Sequence, residues 1–283
     1  MVSFPVDFSI ITPSLNMLSY LKRCHASVAD QQGVTVEHII MDGGSTDGTV
    51  EWLRENPQVI GVVQKDNGMY DAINKGLSLA RGNIISYLNC DEQYLPGALS
   101  FVKKYMERHP EVDILFGDFL VVRPDGSLVC FRKGYPLRWF YIFSSYLYAF
   151  SCAMFFRRRL FDDGLRFNEQ FKDIGDADFV VRALRSGYKA AYVRRYLAVF
   201  TMTGINKSAS SEALLERKKW MSLAPLWIRI LKWPLNWARL FEKLIHGSFW
   251  EKMPLQYAIY VSDDITKRKV FYAEKSSFRW RGR

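Results

Sequence analysis

The sequence predicts an α/β fold on a doubly wound, mostly parallel sheet with helices on both faces. Three observations lead there. Short, continuous apolar runs alternate with stretches of helical spacing through the first third of the chain, the pattern of parallel strands buried on both faces. Three of those runs stop at polar turn signals, as strands do where a sheet opens into a crevice. A hydrophobic content of 49% over 283 residues is enough for a real core, which excludes wholesale disorder.

Phe8–Ile11 is the first apolar run and stops at Thr12-Pro13-Ser14. Residues 18–30 place Leu18, Leu21, Cys24 and Val28 at helical spacing. Val36–Met41 is a second buried strand, ended by Asp42-Gly43-Gly44-Ser45, and Thr49–Glu55 reads as a helix. Val59–Gln64 is a third strand, and Tyr70–Ala80 a helix stopped by Gly82. Ile84–Leu88 is a fourth strand, ending at Asn89-Cys90-Asp91-Glu92, after which Pro96 opens a helix to Arg108. Beyond Val112–Phe116 the pattern is mixed. Asp125-Gly126 is a hairpin turn, residues 139–156 are aromatic-rich, and Asp178–Leu184 is a helix. Tyr188–Val193 and Leu197–Thr201 read as two strands. Ligands bind beyond the carboxyl ends of parallel strands, so the three polar strand ends should meet in one crevice.

The formal net charge of +10 is unevenly spread. Residues 1–206 hold 23 Lys and Arg against 22 Asp and Glu, whereas residues 207–283 hold 16 against 7, together with six of the eight tryptophans. A nearly neutral body therefore carries a basic, Trp-rich tail, suited to a membrane surface or to nucleic acid. Within the tail, Arg229, Lys232, Asn236, Arg239 and Lys243 recur at helical spacing as one polar stripe in an otherwise apolar helix. Pro234 should kink or divide it. The charges argue against a spanning helix and for one lying in the membrane interface, with Arg217-Lys218-Lys219 attracting anionic lipid. The competing reading packs this helix on protein. Residues 251–283 show no pattern that assigns them. Cys24, Cys90, Cys130 and Cys152 form no CxxC pair, which reads as a reducing compartment without disulfides or structural zinc. No secretory signal is expected at the N-terminus.

Four places carry candidate chemistry. Asp91 and Glu92 at the end of a buried strand make an oxygen-rich site for Mn2+ or Mg2+, which would neutralise a diphosphate leaving group; a solvated acidic turn is the competing reading. In Asp42-Gly43-Gly44-Ser45-Thr46-Asp47-Gly48 the glycines let the backbone approach a ligand, Asp47 or Thr46 suits a helix cap, and Asp42 is left to accept hydrogen bonds from a base or ribose. Gly175-Asp176-Ala177-Asp178 precedes a helix, where a carboxylate serves either as a general base or as a cap. Gly204-Ile205-Asn206-Lys207-Ser208 is a loop able to close over a diphosphate. The aromatic stretch 139–150 lines an acceptor site or is plain core.

Taken in order, SIITPSLN, MDGGSTDGTVEWL, KDNGMYDAINKGLSLARGNIISYLNCDEQYLPGAL and GDADFVVRAL resemble glycosyltransferase family 2, most closely the bacterial enzymes of polysaccharide and O-antigen assembly. The resemblance covers about residues 6–206. It implies a GT-A (Rossmann-like) fold and an inverting mechanism. It implies that Thr12, Pro13, Ser14 and Asn16 flank the nucleobase, that Asp42 and Gly43 meet the base or ribose, and that Asp66, Gly68, Asp71 and Asn74 shape the nucleotide pocket. Asn89, Cys90 and Asp91 occupy the place of the Asp-x-Asp metal signature. Asn89 stands for its first Asp, so that Asp91, with Glu92, would hold the cation. Asp176 falls where the family keeps its catalytic base, with Asp173 and Asp178 as fallbacks; Gly175 departs from the family's common Glu-Asp pair.

The expectation is thus a metal-dependent transferase of a sugar from a nucleotide-sugar donor, UDP first, to a glycan or lipid-linked acceptor in cell-surface polysaccharide assembly. It would have a catalytic domain over 1–206 (nucleotide-binding half 1–110, acceptor half 111–206) and a C-terminal helical amphipathic extension over 207–283. It would be cytoplasmic, peripheral on the inner face of the cell membrane, with oligomerisation open and no nucleic acid bound. Two other readings compete with this one. A sugar nucleotidyltransferase should carry an early Gly-rich loop, whereas the first strand here ends in Thr12-Pro13-Ser14-Leu15-Asn16. A non-enzymatic basic membrane or nucleic-acid-binding module conflicts with the near-neutral body.

Overall fold

The structure is a computed structural model that describes residues 6–204, 211–261 and 265–279. The chain opens with β1 (Phe8–Ser14), α1 (Leu18–Ala29), β2 (Val36–Asp42), α2 (Thr49–Glu55), β3 (Ile60–Val63), α3 (Met69–Leu77) and β4 (Ile84–Tyr87). These strands run parallel in the order β3-β2-β1-β4. There follow a short β5 (Glu92–Tyr94), α4 (Ala98–Arg108), β6 (Ile114–Val122), β7 (Leu128–Arg132), α5 (Trp139–Ser144), β8 (Met154–Arg157), α6 (Arg159–Asp162), α7 (Gly175–Arg185) and β9 (Ala190–Thr201). They complete a nine-stranded sheet, β3-β2-β1-β4-β8-β6-β9-β5 with β7 beside β6. The second half is mixed: β8 is antiparallel to both β4 and β6, while β9 runs parallel to β6.

Alternation along the strands sorts the core into two layers. Ile11, Ile85, Phe116 and Phe156 pack with α3, α5 and α7 on one face. Their neighbours Ile10, Ile84, Leu115 and Phe155 pack with α1 and α4 on the other. Two differences from the expected elements have local causes. Residues 190–201 form a single strand, because Arg194, Arg195 and Tyr196 continue the ladder through register shifts opposite Gly117 and Asp118. Glu92 does not lie in a turn but begins β5, paired with Phe200 of β9.

The tail folds against this body. It consists of α8 (Ser211–Ser222), α9 (Leu226–Ile230), α10 (Lys232–Ile245) and an antiparallel hairpin of β10 (Leu255–Ile259) and β11 (Lys269–Ala273). The division between α9 and α10 comes at Leu231, so Pro234 sits in the first turn of α10, where its missing N–H costs nothing. The C-terminal part of the polar stripe faces inward, while Arg229 and Lys232 are exposed. Arg239 is 6% exposed and donates to the hydroxyls of Tyr135 and Tyr146, Lys243 lies over the rings of Phe249 and Phe278, and Asn236 donates to the Ser144 carbonyl. The apolar residues face out, with Trp233 77%, Trp237 71% and Ile230 68% exposed. No described helix is long and apolar enough to cross a membrane. In the aromatic stretch, Tyr141, Phe143 and Tyr148 are core, and Trp139 and Phe140 pack against Trp227 of the tail. The hairpin of the unassigned segment covers Leu120, Val122 and Val199 on the sheet.

Candidate active site

The ends of β1, β2 and β4 do meet. Ser14 pairs with Asp42 and Ile11 with Tyr87 in the parallel ladders, and Gly43 N–H donates to the Ser14 carbonyl. The Cys90 thiol, pushed up to about 12 chiefly by burial, donates to the Pro13 carbonyl. Thr12 is buried and bonds His38 at 2.8 Å, so it supports the floor rather than the rim. Ser14 is buried, and its side chain acts on the Cys90 thiol. Asn16 adopts φ 53°, accepts from the Thr46 N–H and donates its own N–H to Ser45, joining the first loop to the second.

Asp42 differs from the reading that left it open. It is fully buried, and its oxygens accept from Gly44 N–H, Ser45 N–H and the Ser45 hydroxyl, so the carboxylate closes its own turn. Asp47 spans two helix starts, accepting from Leu18 N–H with one oxygen and from Thr49 with the other. At Gly43 the backbone passes close to the Asp66 carboxylate: a Cβ there would stand 2.8 Å from Asp66 Oδ2. Asp66 accepts from Gly68 N–H and Asp71 from Asn67 N–H, which folds the 66–71 loop onto this crevice. Asn74 faces elsewhere, clamping the backbone of Phe167 with both ends of its amide.

Asp91 is half-buried and Glu92 is wholly buried. Glu92 accepts from Asn89 N–H at 2.7 Å and from the Ser151 hydroxyl at 3.3 Å, so its carboxyl is enclosed and Asp91 is the accessible member. Burial raises both carboxyl pKa values, and Asp91 raises Glu92 further by like-charge repulsion. The donor set therefore suits a hard cation, which would relieve that repulsion. Among the described residues no cluster of three His, Cys, Asp or Glu side chains stands ready to hold one, so Asp91 would need oxygen from a bound ligand and water to complete a shell.

Asp176 lies in the first turn of α7. Burial pushes its carboxyl up to about 6. Its N–H donates to the Tyr70 hydroxyl at 3.1 Å and its Oδ1 accepts from Ala177 N–H at 2.7 Å. Gly175 explains the departure from a Glu-Asp pair: a Cβ there would fall 2.5 Å from the Tyr70 ring. Lys172 donates to the Asn67 carbonyl, tying this loop to the 66–71 loop. Asp178 is occupied by Arg182 and the Trp220 indole N–H.

Tyr87, at the end of β4, is acted on by an acid of each group. It is 2% exposed, and its hydroxyl feels Asp176, Tyr70 and Glu92 while bonding Ser151. Phe167 stands edge-on to Tyr87 and stacked on Tyr70, forming an aromatic wall below Asp176. Sequence reading assigned no role to Tyr70, Tyr87 or Ser151; the position of Tyr87 immediately before the polar strand end was the available signal. The loop 205–208 lies outside the described residues.

A family profile described as glycosyl transferase family 2 matches residues 9–165. A PGL/p-HBAD biosynthesis glycosyltransferase of Mycobacterium bovis (strain BCG / Pasteur 1173P2) is 28% identical over 234 residues, which is 79% of this chain and 86% of that protein. A chondroitin synthase of Pasteurella multocida (strain Pm70) is 30% identical over 132 residues, covering 45% of this chain and 14% of that one. Among solved structures, S. aureus TarS 1–349 in complex with UDP-GlcNAc superposes with a TM-score of 0.64 at 15% identity, covering 96% of this chain and 100% of that chain. The mannosyltransferase PcManGT from Pyrobaculum calidifontis, in complex with GDP-Man and Mn2+, gives 0.53 at 16%, covering 87% and 77%. These likenesses establish a shared GT-A fold.

Proposed function

This chain belongs to glycosyltransferase family 2, and from that premise we propose that it transfers a sugar, with inversion, from a nucleotide-sugar donor to a hydroxyl of a glycan or lipid-linked acceptor in cell-surface polysaccharide assembly. The observation that carries this is the gathering of buried carboxyls about Tyr87, whose hydroxyl is acted on by both the Asp176 base candidate and Glu92, with Asp91 acting in turn on Glu92. UDP is the first choice of nucleotide, supported by the UDP-GlcNAc bound to TarS; the GDP-Man of PcManGT keeps GDP in the panel.

In this mechanism the loops 12–16 and 42–46, held together by Asn16, and the 66–71 loop enclose the nucleoside. Asp42 acts by fixing its turn rather than by touching the base. Asp176, raised to about 6, is ionised at neutral pH yet basic enough to take the proton of the attacking hydroxyl. Tyr70 and Gly175 set its position. Asp91 would hold Mn2+ or Mg2+, with Glu92 behind it. Such a cation, when bound, offsets the charge of the departing diphosphate. Residues 1–206 are read as the catalytic domain and 207–283 as its extension; that boundary falls outside the described residues.

The outward face of α9 and α10 is read as a membrane contact, which would bring a lipid-linked acceptor to the enzyme at the inner face of the cell membrane. Residues 217–241 contain no Asp or Glu, and the exposed Arg229 and Lys232 accompany the exposed Trp233 and Trp237, a combination that suits anionic lipid. A second copy would set the same cations against themselves across a two-fold axis. Vesicles containing phosphatidylglycerol should co-sediment the protein, and Trp233→Glu with Trp237→Glu should release it; equal binding by the double variant ends this reading.

The experiment for the central reading is nucleotide diphosphate release from UDP-, GDP- and dTDP-sugars, with and without Mn2+, comparing wild type with Asp91→Ala. Metal-dependent release lost in the variant is the expected result. Absence of release and of binding for every donor overturns the donor reading, and release indifferent to chelator overturns the role of Asp91 with a cation.

A further inference from the structure

We propose that Glu216, in the C-terminal extension, is a positioning residue for the transfer reaction: its carboxylate holds the loop that carries Asp176. The inference rests on Asp176 being the base.

Helix α7 starts without a cap of its own, because Ile174 occupies the cap position and offers no side-chain acceptor. N–H groups at a helix start need acceptors from elsewhere. Glu216 supplies them from α8. Its Oε2 accepts from Lys172 N–H at 2.8 Å, and its Oε1 accepts from Asp173 N–H at 2.9 Å and Ile174 N–H at 3.0 Å. The next acceptors are the Tyr70 hydroxyl for Asp176 N–H and Asp176 itself for Ala177 N–H. One carboxylate thus receives three successive peptide N–H groups immediately before the base, and charge-assisted bonds of this kind are the strong ones. The loop's direction, and with it the aim of Asp176, depends on Glu216.

A second contact keeps α8 in place. Trp220, one turn after Glu216, donates to Asp178 Oδ1 at 3.1 Å and stacks on Phe143 at 4.4 Å. Residues 216 and 220 share a helix face, as do 174 and 178, so the two helices meet at matching one-turn intervals. The Arg217 guanidinium donates to the Ser145 carbonyl on the adjoining α5 turn. The Glu216 charge also reaches Tyr70, whose hydroxyl is pushed up first by burial, then by Asp176 and Glu216. With its oxygens bonded to backbone, Glu216 acts through the loop and not on substrate.

The test uses the full chain and whichever panel donor wild type turns over fastest, with water as acceptor and nucleotide diphosphate release as the readout. Glu216→Ala should lower kcat by about 10- to 100-fold, the scale of a slight misplacement of a reacting group, with donor KM within about twofold. Glu216→Gln keeps one carbonyl oxygen for the Asp173 and Ile174 N–H groups and should recover much of the loss. A folded Glu216→Ala at wild-type kcat, a change confined to KM, or a folded Glu216→Gln no better than Ala would overturn the inference. Asp176→Asn run alongside separates the two failures. If it retains full turnover, the base reading itself falls. If it is dead while Glu216→Ala is normal, only the role of Glu216 falls.

Discussion

The nucleotide-side loops and the C-terminal extension solve the same problem, satisfying polar groups at a surface, over very different ranges. In the loops the carboxylates act mainly on their own neighbourhood: Asp42 on Gly44 and Ser45, Asp66 on Gly68, Asp71 on Asn67, with Asp47 reaching back to Leu18 as the exception. In the extension the polar side chains reach across the molecule. Glu216 holds residues 172–174, Arg239 bonds Tyr135, and Arg268 forms a fork with Asp30, 238 positions away, while also donating to the Tyr94 carbonyl. The difference teaches why α10 lies with Asn236, Arg239 and Lys243 inward: these are the polar side chains that find partners on the body and the hairpin segment. The two regions meet at the 172–178 loop, where Tyr70 of the first and Glu216 and Trp220 of the second hold one helix start.

Three measurements sharpen the contrast. The largest effect is expected where the regions meet: Asp176→Asn should lose about 10²- to 10⁴-fold in kcat, the usual worth of a general base. Because burial raises this carboxyl to about 6, wild-type kcat/KM should be full above that pH and fall as the base is protonated below it. A profile flat from pH 5 to 8 argues against Asp176 as base. Next, Arg239→Met should cost about 1.5–3 kcal/mol in chemical denaturation, since charged donors are removed from buried hydroxyls. The smallest effect is Asp47→Ala, which takes a cap from two helix starts and should cost about 1 kcal/mol. If Asp47→Ala costs more than Arg239→Met, the long-range ties of the extension are not what fastens it.

The parallel half of the sheet was legible almost strand by strand, and so was the meeting of its polar ends, because a buried strand writes an apolar run and a strand end writes a turn. The site was legible as a set of positions but not as a set of contacts. Nothing in Glu92 announces that it begins β5 and turns its carboxyl to Asn89 and Ser151, since the strand exists only through pairing with β9. Nothing in Gly175 announces the Tyr70 ring against it. Glu216 carried no signal at all, being one acid in a basic tail.

By itself the sequence determined the alternation of strands and helices, the polar strand ends, and the segregation of charge and tryptophan into the last quarter of the chain. These depend on neighbours within a helical turn or a strand, which periodicity and turn chemistry record. Only the tertiary structure decided that β8 enters antiparallel between β4 and β6, that Tyr87 feels both Asp176 and Glu92, and that the extension presents its exposed tryptophans outward. Those outcomes rest on contacts between residues tens to hundreds of positions apart, and such partners leave no periodic trace in either segment.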